Sequence, residues 1–228
     1  MEQSYQQFLL SLKFLVSKSD EYGDGWQKKI SARSEVYAMK EIIQNMTVTG
    51  SSSRRHDPVL ELNDTIDGGL SDDDDEEEDA STLCSASPDL ATAVKTVRYI
   101  YHVVYSTSYQ VPVLYFNAYT LEGKLLSLDE IWAAVPDHFQ ARLKDERWTF
   151  LTQQEHPYLG RPFFQLHPCK TASLMQSLQC EPSSEHYVCS WLSAIGSVVG
   201  LSMGSAYFLP SGREAASDAV ATQSSDVT

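Results

Sequence analysis

A cysteine in a turn-rich segment has the surroundings best suited to chemistry in this chain. Cys169 lies in residues 156–171, HPYLGRPFFQLHPCKT, which carry a His-Pro step towards each end. Proline fixes φ and restricts the residue before it to extended geometry, so this segment can hold a thiol at a surface outside a helix. The segment therefore predicts a reactive Cys169. An ordinary structural thiol is the alternative.

Three neighbours of Cys169 favour a reactive thiolate, which must be both exposed and deprotonated. His167 and Lys170 flank the cysteine with groups that can carry positive charge, and Pro168 stiffens the approach to it. A helix predicted to begin near Thr171 would place its positive end beside the sulfur. All of these contributions favour a reactive thiolate at Cys169.

The surrounding residues fit a thioester carrier better than a peptidase. A cysteine peptidase requires a histidine within hydrogen-bond reach and an orienting Asp or Asn. His102, His138, His156 and His186 are candidates, but no peptidase signature surrounds Cys169. A thioester carrier receives an already activated acyl group, so it requires exposure, a rigid loop and docking surfaces rather than a strong base.

Composition and charge exclude several other classes. The 228-residue chain has a net charge of −14, and residues 57–79 hold twelve acidic residues without Lys or Arg. The rest is close to neutral, so binding to nucleic acid is disfavoured. The chain contains no glycine-rich phosphate loop, and no cofactor is predicted. Neither a signal peptide nor a membrane-spanning apolar run is present, which predicts a cytoplasmic protein without membrane insertion.

The other cysteines form no recognisable metal or redox motif. The chain has four cysteines in all, and no two of them have C-x-x-C spacing. Cys180, Cys189 and His186 lie near one another in sequence, but their spacing is wrong for zinc. No metal site is predicted.

The hydrophobic pattern predicts four regions. Residues 1–47 contain a helix with Ser4 as its cap and strands at 26–30 and 36–43. Residues 48–90 are acidic and of low complexity, and we expect a disordered insertion. It acts as a tolerated loop insertion, or else as a docking tail for a basic partner or a phosphorylation target at Ser71. Residues 91–210 continue the core, and residues 211–228 form a flexible tail.

The core region alternates between strand and helix signals. Residues 97–105 and 111–119 read as long strands, 124–126 as a short one and 148–153 as another. A capping box at Ser127 and Glu130 starts a helix that Pro136 kinks or divides. Further helices are predicted near 174–178 and 187–199, so the order of elements indicates an α+β domain with segregated helices.

Three motifs, in order, resemble those of the autophagy-related protein 10 family of ubiquitin-like-conjugating enzymes. They are YSTSYQVPVLYF at 105–116, QQEHP at 153–157 and LHPCKT at 166–171. The resemblance covers about 94–205 and extends to the first helix and Trp26, and nothing in it matches the acidic insertion. It implies a ubiquitin-conjugating core with an N-terminal helix, a four-stranded antiparallel sheet and C-terminal helices.

The resemblance also implies a reaction and its partners. Cys169 matches the family's active-site cysteine. It would accept autophagy-related protein 12 as a thioester from the activating enzyme, autophagy-related protein 7. It would then pass it to a lysine of autophagy-related protein 5, forming an isopeptide bond. A paralogous lipid-conjugating enzyme and a non-catalytic binding module of the same pathway are the alternatives.

One departure leaves the oxyanion donor unassigned. Ubiquitin-conjugating enzymes carry His-Pro-Asn upstream of the cysteine, whereas His156 and Pro157 are followed here by Tyr158. Gln154 and a backbone N–H near Cys169 are candidate donors. Glu155 or His156 could help to deprotonate the incoming lysine, or could instead fix the loop through a hydrogen bond.

Overall fold

The described part of the chain is an α+β domain with an N-terminal helix, an antiparallel sheet and C-terminal helices. A computed structural model describes residues 2–48, 93–143 and 150–209. The helices are α1 (Tyr5–Tyr22), α2 (Leu128–Ala133), α3 (Asp137–Leu143), α4 (Thr171–Ser177) and α5 (Tyr187–Ile195). The strands are β1 (Gln27–Ile30), β2 (Val36–Val48), β3 (Ala93–Ser106), β4 (Val111–Thr120), β5 (Leu151–Glu155) and β6 (Pro162–Leu166). The predicted α+β class is confirmed.

Helix α1 begins and ends with the local signals that its sequence carries. The Ser4 hydroxyl accepts a hydrogen bond from the Gln7 N–H, and the Gln7 side chain accepts one from the Ser4 N–H. The helix stops at Gly23, whose φ of 68° lies in the left-handed region that glycine tolerates. Its apolar side buries Phe8 and Leu15 in the main core. No helix in the described ranges is long and apolar enough to cross a membrane.

The sheet has six strands rather than the four implied by the resemblance. Their spatial order is β1-β2-β3-β4-β6-β5, and each strand pairs antiparallel with its neighbours. The sequence did not predict β6, whose residues lie within the turn-rich segment around Cys169. Phe164 and Leu166 of β6 face the main core, whereas Phe163 joins a second cluster. Because both faces of this strand are covered, it lacks the alternation that marks a half-exposed strand.

The predicted short strand at 124–126 is reduced to an isolated bridge between Tyr119 and Leu125. The helix that starts at Ser127 is divided into α2 and α3, as the proline at 136 predicted. The Ser127 hydroxyl accepts from the Glu130 N–H, and the Glu130 carboxylate accepts from the Ser127 N–H, which confirms the capping box.

The two faces of the sheet have different roles. One face packs against α1 and α5 and forms the main core, with Tyr101, Phe116 and Trp191 among its largest buried side chains. The other face carries a smaller cluster, composed of Tyr37, Val104, Val113, Tyr115 and Phe163, with Tyr158 and Leu159 packed against it. The turn between β5 and β6 supplies these last two side chains, so it is folded onto the outer face of the sheet.

The two strands that flank the predicted insertion, β2 and β3, pair with each other in the sheet. The predicted disorder at 48–90 and the predicted tail at 211–228 lie outside the described residues, except that Val48 is the last residue of β2. Val48 pairs directly with Ala93 of β3. Residues directly opposite each other in an antiparallel pair lie about 5 Å apart, so a short turn can connect them.

We predict that the fold tolerates removal of the segment between these two strands. When residues 50–91 are replaced by an Asn-Gly turn, the far-ultraviolet circular dichroism per folded residue and the cooperative thermal transition should be retained, because the β2–β3 ladder supplies its own closure. Loss of the cooperative transition would contradict the predicted domain boundaries.

Candidate active site

Cys169 is exposed in a 3₁₀ turn that joins the end of β6 to the start of α4. The turn comprises Pro168–Lys170, and α4 begins at Thr171 as predicted. The buried Pro168 occupies its first position, and the Thr171 N–H donates to the Pro168 carbonyl. The thiol is therefore presented by a short, proline-anchored turn.

His167 holds this turn through the backbone of Cys169. Its Nδ1 accepts a hydrogen bond from the Cys169 N–H at 3.2 Å. A neutral imidazole that accepts at Nδ1 carries its proton on Nε2. His167 thus positions the cysteine backbone. It also engages the Cys169 N–H, which was one of the two candidate oxyanion donors.

The turn between β3 and β4 supplies a neighbour that the sequence analysis did not assign to the site. The Tyr109 ring packs edge-on against the His167 ring, with centroids 5.5 Å apart, and remains partly exposed. The following Gln110 has a φ of 52°, and its carbonyl accepts a 2.7 Å hydrogen bond from the Gln3 N–H. Tyr109 lies within the SYQ stretch that carried the resemblance, so the motif contained the signal but gave no contact.

The other described cysteines are less accessible than Cys169. Cys180 is half-buried, and Cys189 is buried in the main core. Burial raises the pKa of Cys189 to about 12, so its thiol stays protonated. Among the described residues, Cys169 is therefore the cysteine best placed to react.

The structure does not bring Gln154, Glu155 and His156 to the thiol. Leu151 pairs with Leu166 at the Cys169 end of the β5–β6 hairpin, whereas Glu155 pairs with Pro162 at the other end. Four residues of strand separate these ends, or roughly 13 Å at about 3.3 Å per residue. Gln154 and Glu155 are exposed there. The hairpin therefore places all three residues towards its turn, away from the end that leads to Cys169.

His156 instead fixes the turn of the hairpin. It is fully buried, and its Nε2 lies 3.0 Å from Nδ1 of the buried His102 on β3. Its Nδ1 accepts a hydrogen bond from the Tyr158 N–H at 3.2 Å. This is the loop-fixing alternative, and it holds the hairpin that leads to Cys169.

The hydrogen bonds of the two histidines select one arrangement of protons. Because His156 accepts at Nδ1, its proton lies on Nε2 and is donated to His102 Nδ1. The proton of His102 then lies on Nε2, which is buried without a hydrogen-bond partner among the described residues.

Burial keeps both imidazoles neutral. It lowers the pKa of His102 from 6.5 to about 3, with further lowering by His156, Arg161 and Lys29. It lowers the pKa of His156 from 6.5 to about 4, and Arg161 adds to this effect. The protonated form of either imidazole is disfavoured, because its charge would be buried among aromatic rings.

An apolar cleft opens beside the cysteine turn. It has a volume of about 370 Å³, and His167 and Lys170, on either side of Cys169 in sequence, form part of its wall. The remaining wall comes from α3, the end of β6, α4 and α5, through residues such as Phe139, Leu166, Leu174 and Trp191.

The chain has the architecture of a ubiquitin-conjugating domain: an N-terminal helix, an antiparallel sheet, and helices that follow an exposed cysteine. Residues 7–205 match the family described as autophagocytosis associated protein, active-site domain. The match covers most of the chain, and the chain belongs to this family. The resemblance inferred from the three motifs is thereby confirmed.

Curated relatives come from distant organisms. The chain is 47% identical over 123 residues to ubiquitin-like-conjugating enzyme ATG10 of Homo sapiens, covering 52% of this chain and 56% of that protein. It is 47% identical over 110 residues to ubiquitin-like-conjugating enzyme ATG10 of Arabidopsis thaliana, covering 45% and 49%. The corresponding protein of Dictyostelium discoideum is 37% identical over 114 residues, covering 44% and 50%. The chain thus spans about half the length of the curated relatives it matches.

Substitution of His167 separates its backbone contact from other roles. We predict that His167→Ala lowers the transfer rate from Cys169 about fivefold, because loss of a cap costs about 1 kcal/mol of local order. His167→Asn should restore most of the rate, because its side-chain oxygen can accept from the Cys169 N–H. Single-turnover transfer and thermal unfolding check both variants. Equal loss in the two variants would show that the imidazole does more than cap the turn.

Proposed function

We propose that this protein is a ubiquitin-like-protein conjugating enzyme of autophagy that uses Cys169 as its thioester carrier. The observation that carries this proposal is the exposed thiol, held by a capped turn between the sheet and the C-terminal helices of a chain that belongs to this active-site-domain family. The relatives named as ubiquitin-like-conjugating enzymes support the same reaction class. The proposed location is cytoplasmic, where thiols stay reduced.

The specific partners follow from the resemblance. Autophagy-related protein 7 supplies the activated thioester, autophagy-related protein 12 is the ubiquitin-like protein, and a lysine of autophagy-related protein 5 is the acceptor. In loading, the Cys169 thiolate attacks the thioester carbonyl, a new S–C bond forms, the bond from that carbon to the sulfur of the activating enzyme breaks, and that sulfur leaves as a thiolate. In transfer, the lysine amine attacks the same carbon. A C–N bond forms, the Cys169 sulfur leaves, and the amine loses a proton.

The residues of this chain prepare both steps. His167 and Pro168 hold the thiol at the surface. The buried pair of His102 and His156 fixes the β5–β6 hairpin, whose second strand leads to Cys169. No strong base is required at the thiol, because the acyl group arrives activated.

Reconstitution with the activating enzyme, the ubiquitin-like protein and ATP tests this function. A non-reducing gel should show a shifted band that collapses with thiol reductant. Addition of the acceptor protein should convert the band to a product that resists reductant. Vesicles containing phosphatidylethanolamine should not replace the acceptor protein. Absence of the band with all components active would favour a non-catalytic binding module, and conversion on the vesicles would favour the lipid-conjugating alternative.

A further inference from the structure

The segment that precedes α1 is bound to the turn between β3 and β4. Gln3 lies in this segment and is fully buried, although its side chain is polar. Its N–H donates a 2.7 Å hydrogen bond to the Gln110 carbonyl at the end of the turn. Its own carbonyl accepts a 2.7 Å hydrogen bond from the Tyr105 hydroxyl near the end of β3. The backbone of Gln3 is therefore attached to both sides of this turn.

The Gln3 side chain fixes the same segment from the helical side of the domain. Its Nε2 donates to the Pro182 carbonyl at 3.0 Å and to the Ser11 hydroxyl at 3.3 Å. Pro182 lies between α4 and α5, and Ser11 is buried on α1. A buried amide is stable only where its polar groups find partners, so these bonds define one position for the segment. Gln3 thus connects the helices to the β3–β4 turn.

The turn that Gln3 holds has an unfavourable backbone conformation. Gln110 has a φ of 52°, in the left-handed region that side chains with a Cβ rarely adopt. Such a conformation persists where the surrounding contacts over-determine it, and the hydrogen bond from Gln3 to the Gln110 carbonyl is one of these contacts. The preceding residue, Tyr109, packs edge-on against the ring of His167. The conformation of Gln110 therefore decides where the Tyr109 ring lies.

We infer that Gln3 is a positioning residue for the reaction at Cys169. The inference rests on the proposed carrier function. Through the Gln110 carbonyl, Gln3 fixes the turn that places the Tyr109 ring against His167. His167 in turn fixes the Cys169 backbone, because its Nδ1 accepts from the Cys169 N–H at 3.2 Å. Gln3 is fully buried, so it acts on the thiol only through these contacts.

Gln3→Ala should lower the rate constant for transfer from Cys169 about fivefold at saturating acceptor. A fivefold change corresponds to about 1 kcal/mol, the contribution of a typical hydrogen bond. The acceptor concentration that gives half the maximal rate should stay unchanged, because a buried side chain does not contact the acceptor. Single-turnover transfer is measured below the thermal transition of every variant. Gln3→Met, which keeps the length of the side chain but removes its donor, provides the second variant if Gln3→Ala fails to fold.

Asn117→Ala is the matched control. Asn117 is also a buried amide, its Nδ2 donates to the Pro162 carbonyl, and its Oδ1, like the Gln3 Oε1, has no hydrogen-bond partner among the described residues. Pro162 lies at the end of the β5–β6 hairpin opposite to the end that leads to Cys169. The control should therefore lose thermal stability as Gln3→Ala does, but its transfer rate should stay native.

Gln110→Asn provides a rescue that a merely structural role of Gln3 would not show. Asparagine adopts the left-handed conformation more readily than glutamine, so the turn then depends less on the hydrogen bond from Gln3. The double variant Gln3→Ala with Gln110→Asn should recover most of the transfer rate that Gln3→Ala loses. An unchanged transfer rate in Gln3→Ala, or a loss that Gln110→Asn does not restore, would overturn the inference.

Amide hydrogen exchange tests the same connection without any reaction partner. The Cys169 N–H should exchange about threefold faster in Gln3→Ala, because the His167 ring that accepts its hydrogen bond is less restrained. The native rate should return in the double variant and persist in Asn117→Ala. If the native protein forms no thioester, the carrier function fails. If Gln3→Ala leaves exchange of the Cys169 N–H unchanged, the inference itself fails.

Discussion

Cys169→Ser should accumulate an adduct with the ubiquitin-like protein that survives thiol reductant, while formation of the final conjugate falls by about 100-fold or more. A serine hydroxyl is a weaker nucleophile than a thiolate at neutral pH, so loading slows. The resulting oxyester is a less activated acyl group, so attack by the acceptor lysine slows further. The substitution removes little packing, because Cys169 is exposed.

Cys180→Ser is the matched control for this experiment. Cys180 is half-buried and lies only eleven positions further along the chain, beyond α4. The variant should retain both the reductant-sensitive band and the conjugate. Reaction partners, ATP and protein concentrations stay constant, and the two variants are compared on reducing and non-reducing gels. Unchanged conjugation by Cys169→Ser would exclude Cys169 as the carrier.

The free energy of unfolding should fall steeply as pH decreases from 7 to 5. The folded state holds His102 and His156 neutral, with pKa values lowered to about 3 and about 4 by burial. The unfolded chain binds protons at both residues below about pH 6.5, so it binds more protons than the folded chain. Each imidazole then removes about 1.4 kcal/mol of stability per pH unit below 6.5, and stability increases again as pH rises through 6.5.

The measurement is urea unfolding at pH 7, 6 and 5. Carboxylates with lowered pKa values, such as Glu130, contribute below about pH 4.5 and so lie outside this window. The double variant His102→Asn with His156→Asn should be less stable at pH 7 but should lose most of the slope. His138→Asn, at an exposed position on α3, should keep the slope of the native protein. An unchanged slope in the double variant would show that other groups control the acid sensitivity.

The sequence predicted the elements whose local signals are strong. Ser4 and Ser127 mark the starts of α1 and α2 because a capping side chain satisfies helix N–H groups within a few residues. The long strands β3 and β4 were visible because both are rich in aromatic and β-branched residues. In each case the determining contacts are near in sequence.

Features that depend on distant contacts were not predicted. Strand β6 is inserted between β4 and β5, so its residues pair with Tyr115 and Phe116, nearly fifty positions away. The pairing of β5 with β6 forms the hairpin that places His156 away from Cys169. The spacing of residues within the EHP motif does not predict this pairing. The contact between Tyr109 and His167 likewise joins two turns that only the sheet brings together.

The proposed site is therefore predicted in part by sequence. The motif LHPCKT identified Cys169 and its flanking His167, and the structure places both in one capped turn. The other His-Pro step, at 156–157, has the same residue types but a different physical role, because the imidazole of His156 is buried against His102. Burial, rather than residue type, distinguishes the two histidines.

Mapping the adduct by mass spectrometry tests the central proposal most directly. The protein is loaded by the activating enzyme, quenched in acid without reductant, digested and searched for the modified cysteine. We predict that the adduct lies on the peptide containing Cys169, disappears with reductant, and is absent from Cys169→Ala. An adduct on Cys180, or one that persists in Cys169→Ala, would contradict the proposal.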